Sequence, residues 1–222
     1  MIWNVPNILT VIRLAAAPGV AIMFLFFARP WADWFALVLF VTAAITDWFD
    51  GWYAREFNQE SRFGAMLDPI ADKAMVVIAL LVITGFSGMN PWILLPATVI
   101  LFREVFVSGL REFLGNTAGL LKVTKLAKWK TTAQMIAIAV LFSTGIFEHH
   151  FAERVFGMDE ASIGAILSGG LPDDLGLGRL LWWRDATFFA GVVLLWLAAA
   201  LTAATGWDYF AKARPHLADK PT

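Results

Sequence analysis

This sequence predicts an all-α fold: a polytopic integral membrane protein of six transmembrane helices with a short N-terminal amphipathic segment. Three observations predict it. Hydrophobic residues make up 59% of the 222, and mean hydropathy is +0.67, more apolar than an ordinary soluble domain. The apolar residues fall in runs of about 20, the length of helix that crosses a hydrocarbon core. The runs are parted by short polar or Gly/Pro-containing stretches, without repeats or low-complexity tracts, as expected for one membrane domain over residues 1–222.

Composition removes several classes of function. Net charge is −1, so global charge marks no partner, and nothing points to nucleic acid. With no cysteine, disulfides, thiolate zinc sites and a cysteine nucleophile are excluded. The first apolar run lacks a basic region before it and reads as a retained helix rather than a cleaved signal peptide.

Met1 to Pro6 reads as the amphipathic entry, with Asn4 or Asn7 as a helix cap and Pro6 tolerated in the first turn. The first span covers about 8–28 and contains Thr10 and Arg13. An arginine facing lipid costs about 2.5 kcal/mol or more, so Arg13 is expected to face the interior or to snorkel. Arg29-Pro30-Trp31 is a tight exit turn. The second span covers about 33–53, Glu56 to Arg62 is a polar link, and the third span runs from near Asp68 to Gly85. After a turn at Ser87–Pro91, the fourth span (about 92–113) carries Arg103, Glu104, Arg111 and Glu112, charges that should pair or hold a polar ligand.

A lysine-bearing stretch, 114–130, leads into the fifth span at about 131–147. Residues 148–185 form a polar insert, with an amphipathic surface helix expected over 151–168 and loop histidines at His149 and His150. Adjacent helical positions diverge by about 100°, so the two histidines should not share an ion. The sixth span covers about 186–206. The eleven tryptophans read mostly as interfacial anchors.

Six spans put both termini on one side. That side collects Arg55, Arg62, Lys122, Lys125, Lys128, Lys130, Lys212, Arg214 and Lys220, against Arg29, Arg154, Arg179 and Arg184 on the other. By the positive-inside rule the first side is cytoplasmic, and the insert lies on the opposite face.

The chemistry is concentrated between Asp47 and Asp72. Asp47, Asp50, Gly51 and Ala54 fall at i, i+3, i+4 and i+7, one stripe of a helix. Asp68 and Asp72, at i and i+4, share a face of the next helix. Four carboxylates brought together repel unless cations neutralise them, and an all-oxygen donor set suits Mg²⁺ or Mn²⁺. Gly51 and Ala54 leave the stripe bare, so a bulky group can lie against the backbone. An ion pathway or proton relay also places acids in spans, but does not need the small residues and arginine at fixed offsets.

The pattern Asp-x2-Asp-Gly-x2-Ala-Arg-x8-Gly-x3-Asp-x3-Asp, running from Asp47 to Asp72 with every spacing matched, resembles the signature of the CDP-alcohol phosphatidyltransferase family. The resemblance implies displacement of CMP from CDP-diacylglycerol by an alcohol. It also implies two divalent cations held by Asp47, Asp50, Asp68 and Asp72. Asp72 would be general base on the acceptor hydroxyl. Thr10, Gly51, Ala54, Arg55 and Gly64 would receive the CDP-lipid. Beyond the signature, the chain is similar to the branch of that family whose acceptor is glycerol 3-phosphate. The similar stretches are Asn4–Asn7 with Thr10 and Arg13, Thr46–Gly51, Arg62–Lys73, Arg103-Glu104 through Arg111-Glu112, and Lys128–Met135. A dianionic acceptor needs cations, and Arg103, Arg111, Lys128 and Lys130 are the candidates, each able instead to pair with a glutamate or a lipid headgroup. The resemblance further implies a homodimer among the lipids of a bacterial inner membrane, with its site facing the cytoplasm. Other family members take serine, inositol phosphate or phosphatidylglycerol. A transporter or ion channel, and a structural subunit with a vestigial site, are the readings from other classes.

Overall fold

A computed structural model describes residues 4–57, 61–115 and 126–217; the side chains of residues 47–55 and 126–128 lie outside that description. The described residues form helices joined by short turns and loops, with no strand among them. The helices are α1 (Val5–Phe26), α2 (Trp31–Glu56), α3 (Arg62–Phe86), α4 (Pro91–Leu114), α5 (Leu126–Val155), α6 (Glu160–Leu167) and α7 (Leu177–Ala213), followed by a 3₁₀ turn at Arg214–His216. Four segments among the described residues are long and apolar enough to cross a membrane: α1, α4, Trp129–Val155 within α5, and Leu177–His216. Large apolar side chains such as Leu25, Leu81, Phe102, Val105 and Phe189 are exposed, as expected where the surrounding solvent is hydrocarbon. Trp31, Trp92, Trp129 and Trp182 lie near helix starts and are also exposed, the placement of interfacial anchors.

Several boundaries differ from the sequence expectation, for local reasons. The Asn4 side chain accepts from the Asn7 amide, so α1 starts at Val5 and the last two residues of the expected amphipathic entry, Val5 and Pro6, belong to its first turn; residues 1–3 of that entry lie outside the described residues. Ser61 caps α3 by accepting from the Gly64 amide at 2.9 Å. That cap starts the helix at Arg62 rather than near Asp68, so Asp68 sits in its second turn. Pro69 follows inside the helix, where it supplies no amide hydrogen. α5 and α7 run well into the expected insert, so His149 and His150 lie on helix α5 rather than in a loop, and His150 meets Glu153 at 3.1 Å. The single amphipathic helix expected over 151–168 is broken. Gly157, at φ +81°, ends one helix and Asp159 caps the eight-residue α6.

The chain divides into two compact units, and the division falls within α3, α5 and α7. In the first unit (1–83 and 138–191), one face of α1 is buried through Pro6, Asn7, Thr10, Arg13, Ala17 and Val20, a spacing of three and four. Phe142 of α5 lies against Phe24 and Phe40, with ring centroids 6.0 and 6.1 Å away. Arg29 and Asp33 form a bidentate pair, both contacts 2.7 Å, with Asp33 only 2% exposed. This pair lies directly on Gly145 of α5. The second unit (84–137 and 192–222) packs α4, through Ile93, Ala97, Ile100 and Val107, with Leu195, Ala198 and Ala199 of α7 in its core. The Trp196 indole donates to the Trp92 carbonyl at 3.0 Å.

Two predictions follow from these contacts. A methyl group at residue 145 would overlap Asp33 Oδ1 and Arg29 Nη2. Gly145→Ala should therefore destabilise the protein by about 1–3 kcal/mol, read as a lowered unfolding temperature in detergent. Asp173 accepts from the amides of Leu177 and Gly178 at 2.7 and 3.0 Å, and these bonds hold its carboxyl below the ordinary value of 3.8. Its contribution is thus complete above that value and lost as pH falls through the lowered one. The protection of the Leu177 and Gly178 amides against exchange, taken relative to the intrinsic rate at each pH, should fall on acidification through that window, and Asp173→Asn should flatten the dependence.

Candidate active site

The first unit assembles part of the acidic site from α1 and the start of α3. Asp68 and Asp72 lie one turn apart on α3, so their side chains share a face. On α1, Thr10 and Arg13 lie three apart on the buried face. The Thr10 hydroxyl donates to Asp68 Oδ1 at 2.7 Å and lies 3.0 Å from its own helix's Pro6 carbonyl. The Arg13 guanidinium stands 3.6 Å from Asp68 Oδ1 and 3.3 Å from Asp72 Oδ1. Arg13 therefore faces inward, one of its two expected settings, and the two carboxylates offset the cost of placing it in a span.

Exposure gives the cluster a direction. Arg13 is 3% exposed, whereas the Asp68 and Asp72 side chains are 47% and 41% exposed. The cation sits behind the carboxylates, and their other side is open. A second polar link holds the start of α3 in place: Ser61 donates to Asn7 Oδ1 at 2.8 Å while accepting from the Gly64 amide. Gly64 was expected to leave room for the CDP-lipid. A Cβ there would lie 2.6 Å from Asn7 Oδ1, so its bare face accommodates α1. Asn7 and Arg13 were not among the sequence candidates. Arg13 was signalled by its charge in an apolar run and Asn7 by a possible cap, and both lie in a stretch that resembles the family, but neither was given a role in the site.

The side chains of Asp47, Asp50, Gly51, Ala54, Arg55 and Lys128 lie outside the described residues. α2 continues unbroken to Glu56, so the helix their spacing calls for is present. Among the described residues, no three acidic or histidine side chains gather at one point.

The second unit brings two of the expected cations together. Glu104 accepts from Arg103 at 3.1 Å and from Lys130 at 2.5 Å, joining α4 to α5. Arg103 also packs against Gly206 of α7, where its Cγ would lie 2.8 Å from an added Cβ. Arg111 is exposed and stands over the Tyr209 ring at 5.2 Å. Glu104, which gathers two basic residues on one carboxylate, was foreseen only as a possible partner.

Apolar helices with inward-facing charge, and a pair of half-exposed carboxylates held from behind by a buried arginine, describe a helical membrane protein with an acidic site. Comparison with known proteins is then specific. The CDP-alcohol phosphatidyltransferase profile matches residues 3–207, and the chain belongs to that family. The chain is 62% identical, over 99% of its length and all of the relative's, to the CDP-diacylglycerol–glycerol-3-phosphate 3-phosphatidyltransferase of Cereibacter sphaeroides. Proteins of the same name from Escherichia coli K12 (33% identity; 99% of this chain and all of the relative) and Salmonella choleraesuis (41%; 64% and 78%) are also similar.

The Gly64 contact gives a testable coupling. Gly64→Ala should cost about 1–3 kcal/mol by displacing Asn7 from Ser61. In an Asn7→Ala background the same change should cost clearly less, because the crowded oxygen is gone. A double-mutant cycle of thermal stabilities measures the difference.

Proposed function

We propose that this chain transfers the phosphatidyl group of CDP-diacylglycerol to glycerol 3-phosphate, forming phosphatidylglycerophosphate and releasing CMP. The observation that carries the proposal is the open pair of adjacent carboxylates, Asp68 and Asp72, at the end of a complete family signature. The name of the 62% identical relative, a CDP-diacylglycerol–glycerol-3-phosphate 3-phosphatidyltransferase, supports the choice of acceptor.

The donor set fits a divalent cation. Asp68 and Asp72 offer oxygen ligands only, and their Oδ1 atoms already converge on one positive group. Asp47, Asp50, Asp68 and Asp72 would hold two ions, Mg²⁺ or Mn²⁺. When bound, these would supply charge neutralisation at the diphosphate and the attacked phosphorus. The remaining work belongs to the chain. Asp72 takes the proton from the acceptor hydroxyl as its oxygen bonds to the lipid-side phosphorus. The bond from that phosphorus to the CMP oxygen breaks, and CMP leaves with the electron pair. Arg55 and Thr10, with the small residues Gly51 and Ala54, receive the CDP-lipid; the bare face of Gly64, expected to do the same, is taken by Asn7 of α1. Arg103, Arg111, Lys128 and Lys130 receive the acceptor phosphate, for which a guanidinium offers a bidentate fork. Glu104 keeps Arg103 and Lys130 together and leaves that pair with a net positive charge.

The same reading places the protein in a bacterial inner membrane as a homodimer of six-span chains, with α2 and α3 joining the four long apolar segments. The excess of lysine and arginine on one side supports a cytoplasmic site and places the 148–185 insert opposite.

Purified protein supplied with CDP-diacylglycerol and labelled glycerol 3-phosphate should form labelled lipid and CMP in equal amounts, and only with Mg²⁺ or Mn²⁺ present. Absence of product with either ion removes the proposal. Asp72→Asn should lower kcat by about 10²–10⁴-fold. Arg103→Glu should raise KM for the phosphorylated acceptor while leaving KM for the CDP-lipid near its original value.

A further inference from the structure

Arg13 lies outside the acidic signature, yet its guanidinium touches two of its carboxylates. We propose that Arg13 is a built-in counter-cation of the site. It holds Asp68 and Asp72 together in the metal-free protein and, by the same charge, opposes the divalent ion, keeping metal binding weaker than the carboxylates alone would make it. The inference rests on the metal reading given above and adds to it a residue that tunes affinity.

Three observations support this. First, the position is fixed: Arg13 is buried on the inward stripe of α1, with Asn7 and Thr10 on the same face holding α1 to the start of α3. Second, the charge is fixed, because a guanidinium stays protonated throughout the range in which proteins work. Third, the carboxylates are open on a side other than the one Arg13 occupies. A cation can therefore enter without first expelling the arginine, and the two positive groups then face each other across shared carboxylates. Repulsion between a divalent ion and a guanidinium at such separations is appreciable even where the local dielectric is moderate. Without metal, the same guanidinium relieves the repulsion between two carboxylates one turn apart.

The role differs from a purely structural one in the sign of its effect. A scaffold residue, when removed, loosens the ligands and weakens metal binding. A competing charge, when removed, tightens it. The experiment is Mn²⁺ titration of the full-length protein in detergent, with free Mn²⁺ counted by electron paramagnetic resonance, for the wild type, Arg13→Lys and Arg13→Gln. Each variant is checked for a monodisperse, helical state. Metal-free Arg13→Gln should unfold at a lower temperature than the wild type, and Mn²⁺ should raise its unfolding temperature by more. Its Mn²⁺ Kd should fall by at least roughly fivefold. Arg13→Lys, whose shorter side chain draws the charge back, should fall between the two. If Arg13→Gln does not fold, the lysine variant decides alone. A Kd equal to or weaker than wild type in a folded variant overturns the inference and leaves the metal reading intact. A wild type that binds no Mn²⁺ overturns both.

Discussion

Arg13 of α1 and the carboxylates of Asp68 and Asp72 on α3 are mutually dependent. An arginine placed in an apolar helix is costly unless it meets opposite charge, and two carboxylates one turn apart repel unless something positive stands between them. Each group resolves the other's difficulty, at 3.3 and 3.6 Å. The rest of the contact between α1 and the start of α3 serves that meeting. Thr10 donates to Asp68, Asn7 accepts from Ser61, and Gly64 is bare because a side chain there would collide with Asn7.

Two other ionic groups show what sets this one apart. Arg29 and Asp33 form a bidentate pair pressed onto Gly145, with Asp33 almost wholly buried. Its acceptor oxygens face protein, and its effect is to fasten the turn between α1 and α2 to α5. Glu104 gathers Arg103 and Lys130 and is itself largely buried, so that group keeps an excess of positive charge. At Arg13 the exposure is reversed: the cation is enclosed and the anions are open. A closed pair stabilises, an excess of cations suits an anionic ligand, and open anions suit a metal ion. Chemical role follows from which member of the group solvent or ligand can reach.

Much of this was legible before the structure, because it depends on period. The i, i+4 spacing of Asp68 and Asp72 survives any small error in where the helix begins, whereas the buried stripe of α1 was signalled only by Thr10 and Arg13 in an apolar run. Boundaries were less legible, since they turn on single side chains. Ser61 capping the Gly64 amide moved the start of α3 to Arg62, and Gly157 divided an expected helix in the insert. The extension of α5 through His149 and His150 follows from tertiary contacts, among them Thr144 with Thr187 at 3.1 Å and Phe147 stacked on Trp183. Partners across helices were the least legible. Arg13 announced that it needed an anion but not which one, nothing in the local sequence joined Asn7 to Ser61, and Glu104 was only one of the partners open to Lys130.

The central claim is that the carboxylates on the open side of Arg13 hold divalent cations. Anomalous diffraction from crystals grown with Mn²⁺ tests it most directly. The account predicts anomalous peaks within coordination distance of both Asp68 and Asp72 carboxylates, lost in crystals of an Asp68→Asn, Asp72→Asn protein. Well-ordered carboxylates at full Mn²⁺ occupancy elsewhere, with no peak beside either one, would contradict it.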